Sequence, residues 1–235
     1  MLNIISIIGC GLIGSSILRA IQNKNLAKEV RIFDLSKEVN AYLKKENLCS
    51  NISTDIRQCV SNSDLIIIAT PLSSYKEIIL SIKNDLKKGA ILTDIGSVKK
   101  EVMKIIHNIN LKEINWIPSH PIAGTEESGP KAGYANMFEN RWCIISPPKE
   151  STEQSIQVLK SLWEAIGSKV KIMTPEEHDE ILSLTSHLPH AIAYNIVRTV
   201  INVEDKLKQE VIQYSAGGLR DFTRIAASDP LMWRD

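Results

Sequence analysis

The chain lacks any apolar run approaching the roughly eighteen residues that a bilayer-spanning helix needs. Its N-terminus enters a strand-like segment at once, without the basic region, apolar stretch and cleavage site of a secretory signal. A cytoplasmic protein with no membrane partner is expected. An excess of either charge is also missing: 28 Lys and Arg face 27 Asp and Glu, for a formal net charge of +1 with both signs interspersed. Without a basic stripe to hold a polyanion, nucleic acid is excluded as a partner. Cysteine is scarce, and Cys10, Cys49, Cys59 and Cys143 are scattered without CxxC spacing, which points to reduced thiols and away from disulfides or zinc. Internal repeats and low-complexity tracts are absent. What remains, 235 residues with 43% hydrophobic content, suits one large domain or two small ones around a buried core.

The first 34 residues carry the strongest signal that is present. Ile4-Ile5-Ser6-Ile7-Ile8 reads as a buried strand, Gly9-Cys10-Gly11-Leu12-Ile13-Gly14 follows, then a helical stretch, then Val30-Arg31-Ile32-Phe33-Asp34. In such a unit Gly9 permits a tight turn, Gly11 leaves room for a pyrophosphate, and Gly14 lets helix and strand pack closely. The helix N-terminus, through Leu12 and Ile13, offers free N–H groups and a positive dipole end to phosphates. Asp34 stands twenty residues after Gly14, the spacing of a carboxylate that accepts hydrogen bonds from a ribose 2′-hydroxyl. It would repel a 2′-phosphate, so NAD is expected over NADP.

Apolar strand-like runs then alternate with helical patterns: Leu65 to Ala69, a helix around Tyr75 to Leu86, Ala90 to Asp94, a helix over Val98 to Ile106, and Trp116 to Pro118. Trp142 to Ser146, a helix from about Thr152 to Ile166, and Lys169 to Met173 complete a βαβ-like series. Continuous apolar runs mean parallel strands covered on both faces, so a doubly wound, Rossmann-type α/β sheet is expected over residues 1–173. Ligands bind such a sheet beyond the carboxyl ends of its strands, where Gly9 to Gly14, Asp34, Thr70-Pro71, Ser97 and His120 all fall. Residues 174–235 show no further strand and read as a smaller, all-helical domain. Glu176 to Val203 is expected to be one long helix kinked at Pro189, with helical segments over Leu207 to Tyr214 and Phe222 to Ala227.

His120 and Ser97 lead the candidate catalytic residues, because an imidazole at a strand end can take a proton from a substrate hydroxyl and a nearby serine can orient the ring. Ser97 also suits a helix cap, and His120 a turn held by Pro121. His187 and His190 share a helical spacing; with no third ligand in register and Pro189 between them, substrate contact is expected and no metal. His107 and His178 lie among polar helical residues and read as surface positions. Arg220 and Arg224 flank Asp221 beside the Gly217-Gly218 turn, which suits carboxylate recognition or, alternatively, a glycine C-cap followed by a helix capped at Asp221.

Five blocks carry a resemblance: Gly9 to Ser16, Asp94-Ile95-Gly96-Ser97-Val98-Lys99, Ser119 to Glu126, Ser186-His187-Leu188-Pro189-His190, and Asp221-Phe222-Thr223-Arg224-Ile225-Ala226. In this order they resemble the prephenate/arogenate dehydrogenase family of tyrosine biosynthesis, along essentially the whole chain. The resemblance implies an NAD-dependent oxidative decarboxylation. His120 would accept the ring C4 hydroxyl proton, with Ser97 hydrogen-bonding that hydroxyl, and loss of carbon dioxide would make the ring aromatic. It implies Arg224 as the ligand of a substrate carboxylate, His187 and His190 as pocket residues, Glu126 and Trp233 at the pocket entrance, Asp221 as a polar pocket residue, and a homodimer through the helical domain. Relative to the family the C-terminus is expected to be short, with no regulatory or mutase domain. Two rivals differ in their needs: a β-hydroxyacid-type dehydrogenase would need a catalytic lysine in the helical domain, where Lys206 and Lys208 read as part of a charged, solvated helix, and a nucleotide-sensing module would have no use for His120.

Overall fold

In the computed structural model the described residues are 1–109, 111, 113–203 and 205–228. The chain opens with β1 (Leu2–Ile8), α1 (Leu12–Asn23), β2 (Ala27–Phe33), α2 (Lys37–Lys45), β3 (Asn51–Ser53), α3 (Ile56–Val60) and β4 (Leu65–Ile68). It continues through α4 (Tyr75–Ile82), β5 (Ile91–Asp94), α5 (Lys100–Ile109) and β6 (Asn115–Trp116). These six strands form one parallel sheet in the order β3-β2-β1-β4-β5-β6, the doubly wound order whose direction reverses between β1 and β4.

The pleat explains the apolar runs. Successive side chains of a strand point to opposite faces, and all four residues of β4 are buried. Leu65 and Ile67 join a core with Ile5, Ile7, Ile17, Leu18 and Ile21, while Ile66 and Ile68 join the opposite core with Ile79, Leu92, Val102 and Ile106. Helices therefore cover both faces. All four cysteines are free and buried.

The expected βαβ series does not finish in this sheet. Ile117 still donates to the Leu92 carbonyl at 2.9 Å, and the Ser119 hydroxyl reaches the Asp94 carbonyl at 2.7 Å, but Pro118 turns its carbonyl to the Ser146 amide at 3.0 Å and the chain leaves the first sheet. β7 (Ser119–Pro121), β8 (Trp142–Ile145) and β9 (Lys169–Ile172) form a separate three-stranded sheet, with β7 antiparallel and β9 parallel to β8. The crossover α6 (Glu153–Ala165) starts at a Thr152 cap and buries Leu159, Leu162 and Trp163 in the core shared with α1.

The helical region begins at a capping box, in which Thr174 accepts from the Glu177 amide and the Glu177 carboxylate accepts from the Thr174 amide, with Pro175 at the first turn of α7 (Pro175–Leu182). The long helix expected from Glu176 onward is interrupted by a π turn over Ser183–His187 before it resumes as α8 (Leu188–Ile201). The distortion thus lies ahead of Pro189, where its missing N–H and the crowded carbonyl four residues earlier disturb the ladder. α9 (Asp205–Gln213) and α10 (Gly217–Ala226) follow, and α10 packs on α8, with the Tyr194 hydroxyl donating to the Ser228 carbonyl at 2.8 Å. Gly217 and Gly218 are the first residues of α10, so Asp221 lies inside that helix and is not its cap. Among the described residues no helix is long and apolar enough to cross a membrane.

Candidate active site

The turn between β1 and α1 lies at the reversal point of the sheet. Gly9 has φ +88°, and a side chain there would meet the Ala69 carbonyl oxygen at 2.6 Å and Thr70 Cγ2 at 2.7 Å, so the ends of β1 and β4 are in direct contact. A Cβ on Gly14 would collide with the Gly9 carbonyl, whereas one on Gly11 would meet nothing within 4 Å. The N-terminus of α1 carries no side-chain cap and no acidic residue in its first turn, which leaves its amides for an anion. Asp34, just past β2, accepts from the Cys10 amide at 2.7 Å through Oδ2 and from the Ser36 amide at 2.8 Å through Oδ1. Each oxygen keeps a second lone pair for a ribose hydroxyl. Burial, and next the Asp34 charge, pushes the Cys10 thiol up to about 12, so this cysteine remains an inert thiol. An open cradle, free helix amides and a carboxylate beside them fit a dinucleotide.

His120 belongs to β7, whose first residue is tied to the end of β5: the Ser119 hydroxyl donates to the Asp94 carbonyl at 2.7 Å. The loop that follows β7 returns to the glycine turn, since a Cβ on Gly124 would lie 3.5 Å from Ile13 Cδ1. Behind the strand, Lys99 and Asp94 are fully buried and paired at 2.6 Å, and Lys99 Nζ also donates to the Ser119 carbonyl at 2.8 Å. His120 is held well below the ordinary histidine value, first by burial, then by the charges of Lys99, His178 and His187. It is therefore a neutral imidazole, able to accept a proton.

The partner of His120 is one that its sequence surroundings hide. His178, expected at the surface, is fully buried on α7, and its Nε2 lies 2.8 Å from His120 Nδ1. Its Nδ1 lies 2.7 Å from Asp179 Oδ1. That carboxylate also accepts from the backbone amides of Lys99 at 2.8 Å and Lys100 at 2.9 Å, so Asp179 caps α5 from the helical region. Ser97 is exposed, precedes α5 by three residues and makes no hydrogen bond among the described residues; it neither caps that helix nor orients His120. The signal available in the sequence was the spacing of His178 and Leu182, the two buried residues of α7, which stand four apart on one face.

The remaining candidates are spread over the same end of the molecule. His187 lies in the π turn, and burial lowers it below the ordinary value; His190 Nδ1 is 2.9 Å from the Ser186 carbonyl. Glu126 is exposed in the loop after β7, and Asp221 and Arg224 are exposed on α10. His107 is exposed on α5, as its setting suggests. Trp233 and the side chains of Lys206 and Lys208 lie outside the described residues.

A doubly wound sheet with a dinucleotide cradle at its reversal point and a neutral histidine beside it defines a nucleotide-binding dehydrogenase. The family model described as the prephenate dehydrogenase nucleotide-binding domain matches residues 17–172, and that for the prephenate dehydrogenase dimerization domain matches residues 174–235. The chain belongs to the prephenate dehydrogenase family. A cyclohexadienyl dehydrogenase of Zymomonas mobilis is 40% identical over 231 residues, 98% of this chain and 78% of that protein. A prephenate dehydrogenase of Bacillus subtilis is 32% identical over all of this chain, which spans 63% of that protein, under two thirds of its length. The crystal structure of prephenate dehydrogenase from Aquifex aeolicus in complex with hydroxyphenyl propionate and NAD+ superposes with a TM-score of 0.91 at 31% identity, covering 100% of this chain and 82% of the other.

Proposed function

We propose that the protein catalyses NAD-dependent oxidative decarboxylation of prephenate or arogenate, giving 4-hydroxyphenylpyruvate or tyrosine. NAD, when bound at Gly9 to Gly14, Asp34 and Thr70-Pro71, supplies the acceptor for the hydride that leaves ring C4. The protein's own contribution is to orient the ring, exclude water and take the proton of the C4 hydroxyl onto His120. As the C4 carbon becomes a carbonyl carbon, the bond from the ring to its carboxylate breaks. Its electron pair enters the ring, carbon dioxide leaves, and aromaticity supplies the driving force. Ser97, exposed and uncommitted, is free to hydrogen-bond the substrate hydroxyl. Arg224 is the carboxylate ligand, with His187, His190, Glu126, Asp221 and Trp233 completing the pocket. The observation that carries this reading is a neutral His120 one short loop from the dinucleotide turn.

The test is formation of reduced nicotinamide by the purified protein with each of the two substrates and each of NAD and NADP. His120→Asn should lower kcat by about 10²-fold or more while dinucleotide binding is retained. A protein that reduces neither cofactor with either substrate overturns the reading.

The same reading makes the protein a cytoplasmic homodimer. Leu188, Ile192, Ile196 and Val200 form an apolar stripe on α8, and Leu184 and Leu188 are 64% and 50% exposed. A stripe at this spacing fits the matching helix of a second copy.

A further inference from the structure

The hydrogen-bonded chain His120, His178, Asp179, with His178 fully buried at its centre, has a chemical direction. Asp179 is the only member whose role is fixed by its own chemistry, because an ionised carboxylate accepts and never donates. Burial alone would raise that carboxyl, but amide hydrogen bonds from Lys99 and Lys100 and the bond from His178 outweigh it, and the net shift is downward. His178 must then carry its proton on Nδ1 and present a bare Nε2. Across the 2.8 Å contact that bare nitrogen can only accept, so His120 carries its proton on Nδ1 and keeps Nε2 as the free lone pair. Two tautomers are thereby set from one carboxylate.

From this geometry we propose that His178 and Asp179 act with His120 as a proton relay: Asp179 fixes the tautomers so that Nε2 of His120 is the base, and His178 shares the abstracted proton until it is returned. This rests on the dehydrogenase reading above and adds two positioning residues to it. Proton balance favours an internal store. The hydroxyl gives up its proton, the hydride leaves C4, and the electron pair of the broken carbon–carboxylate bond ends on the ring oxygen as a phenolate. That oxygen then takes a proton to become the phenol, so no net proton is released and the one taken from the substrate can be given back to it.

Charge placement sets the direction of sharing. Burial and the Lys99 charge disfavour a positive charge on both rings, and only on His178 is this opposed, by the Asp179 carboxylate 2.7 Å from its Nδ1. A proton arriving at Nε2 of His120 is thus answered by transfer of the Nδ1 proton toward His178, whose imidazolium is paired with Asp179. A serine in the position of His178 would fix a hydrogen bond but hold no proton.

The experiment combines nitrogen-15 NMR of the histidine rings in the substrate-free protein with kinetics of two variants. The expected spectrum shows both His120 and His178 protonated on Nδ1 and bare on Nε2. His178→Leu should lower kcat by about 10²-fold with KM for the ring substrate within about twofold of the parent. His178→Gln, which can accept from His120 but cannot carry a proton, should recover part of that loss and not all of it. Nε2 protonation of resting His120, an unchanged kcat in His178→Leu, or full recovery in His178→Gln overturns the relay. If the unaltered protein oxidises neither substrate, the dehydrogenase reading falls, while the ring spectra still decide the tautomers.

Discussion

Replacing Lys99 by Met removes one half of a fully buried ion pair without changing the length of the side chain much. In the parent protein Lys99 Nζ is 2.6 Å from Asp94 Oδ2, Gly96 N–H donates to the same oxygen at 2.8 Å, and Asp94 Oδ1 has no partner among the described residues. Methionine leaves that carboxylate buried with the Gly96 amide and a long 3.5 Å bond from the Tyr75 hydroxyl to compensate it, a loss of about 3–5 kcal/mol for a broken buried pair. Against a total stability of about 5–15 kcal/mol this is a large fraction. The loss should also acquire a pH dependence. Burial already draws the Asp94 carboxyl up from its ordinary value, and without the Lys99 ammonium it rises further and takes a proton. Above about pH 4 the native variant then holds a proton that the unfolded chain has released, so its stability falls as pH rises, by up to about 1.4 kcal/mol per pH unit. Urea unfolding of the parent, Lys99→Met and the double variant Lys99→Met with Asp94→Asn, measured at several pH values, checks both effects. The double variant should regain most of the loss, since a neutral isostere pair avoids the stranded charge. A single variant within about 1 kcal/mol of the parent at every pH would refute the reasoning, because a typical surface substitution does no more.

Thermal stability of the parent protein should decline as pH is lowered from about 7 to 5. His120, His178 and His187 are all below the ordinary histidine value, so in that window the unfolded chain binds protons that the native chain refuses; a melting temperature that is flat or rises contradicts the burial of these rings. Asp34→Ser combined with Leu35→Arg should move the ratio of kcat/KM for NADP over NAD upward by about tenfold or more, since it replaces a repelling carboxylate with a cation beside the 2′-phosphate. Equal use of both cofactors by the parent would undo the electrostatic argument. Ile192→Glu on the exposed stripe of α8 should shift the protein from dimer to monomer in analytical ultracentrifugation, and an unchanged sedimentation profile would place the interface elsewhere.

The parallel sheet and its dinucleotide turn were legible because their signals are local. β1 and β4 are unbroken apolar runs, and Gly9, Gly11 and Gly14 stand at fixed offsets from them. Sheet membership was not local: β8 is as apolar as a central strand, and only its pairing with β7 and β9 places it in a second sheet. The short elements α2, β3 and α3 have too few apolar positions to show a period. His178 escaped for a different reason. Pro175-Glu176-Glu177-His178-Asp179-Glu180 is acidic and reads as a solvated helix start, yet its one inward face meets β7 and the N-terminus of α5. Lys99 escaped likewise, since a lysine beside Lys100 reads as a surface charge until its ammonium is found against Asp94. The candidate base His120 was evident from placement; the groups that set its protonation were not.

Asp179 joins two tasks that usually belong to different residues. The carboxylate that closes the end of α5 also sets the register of protons reaching His120, and it is donated by the opposite half of the molecule. The halves therefore cannot drift apart without disarming the base and fraying a helix in the same movement. Chemistry is interlocked with assembly: a chain in which the two halves have not seated carries a histidine at position 120 but no instruction as to which of its nitrogens should act.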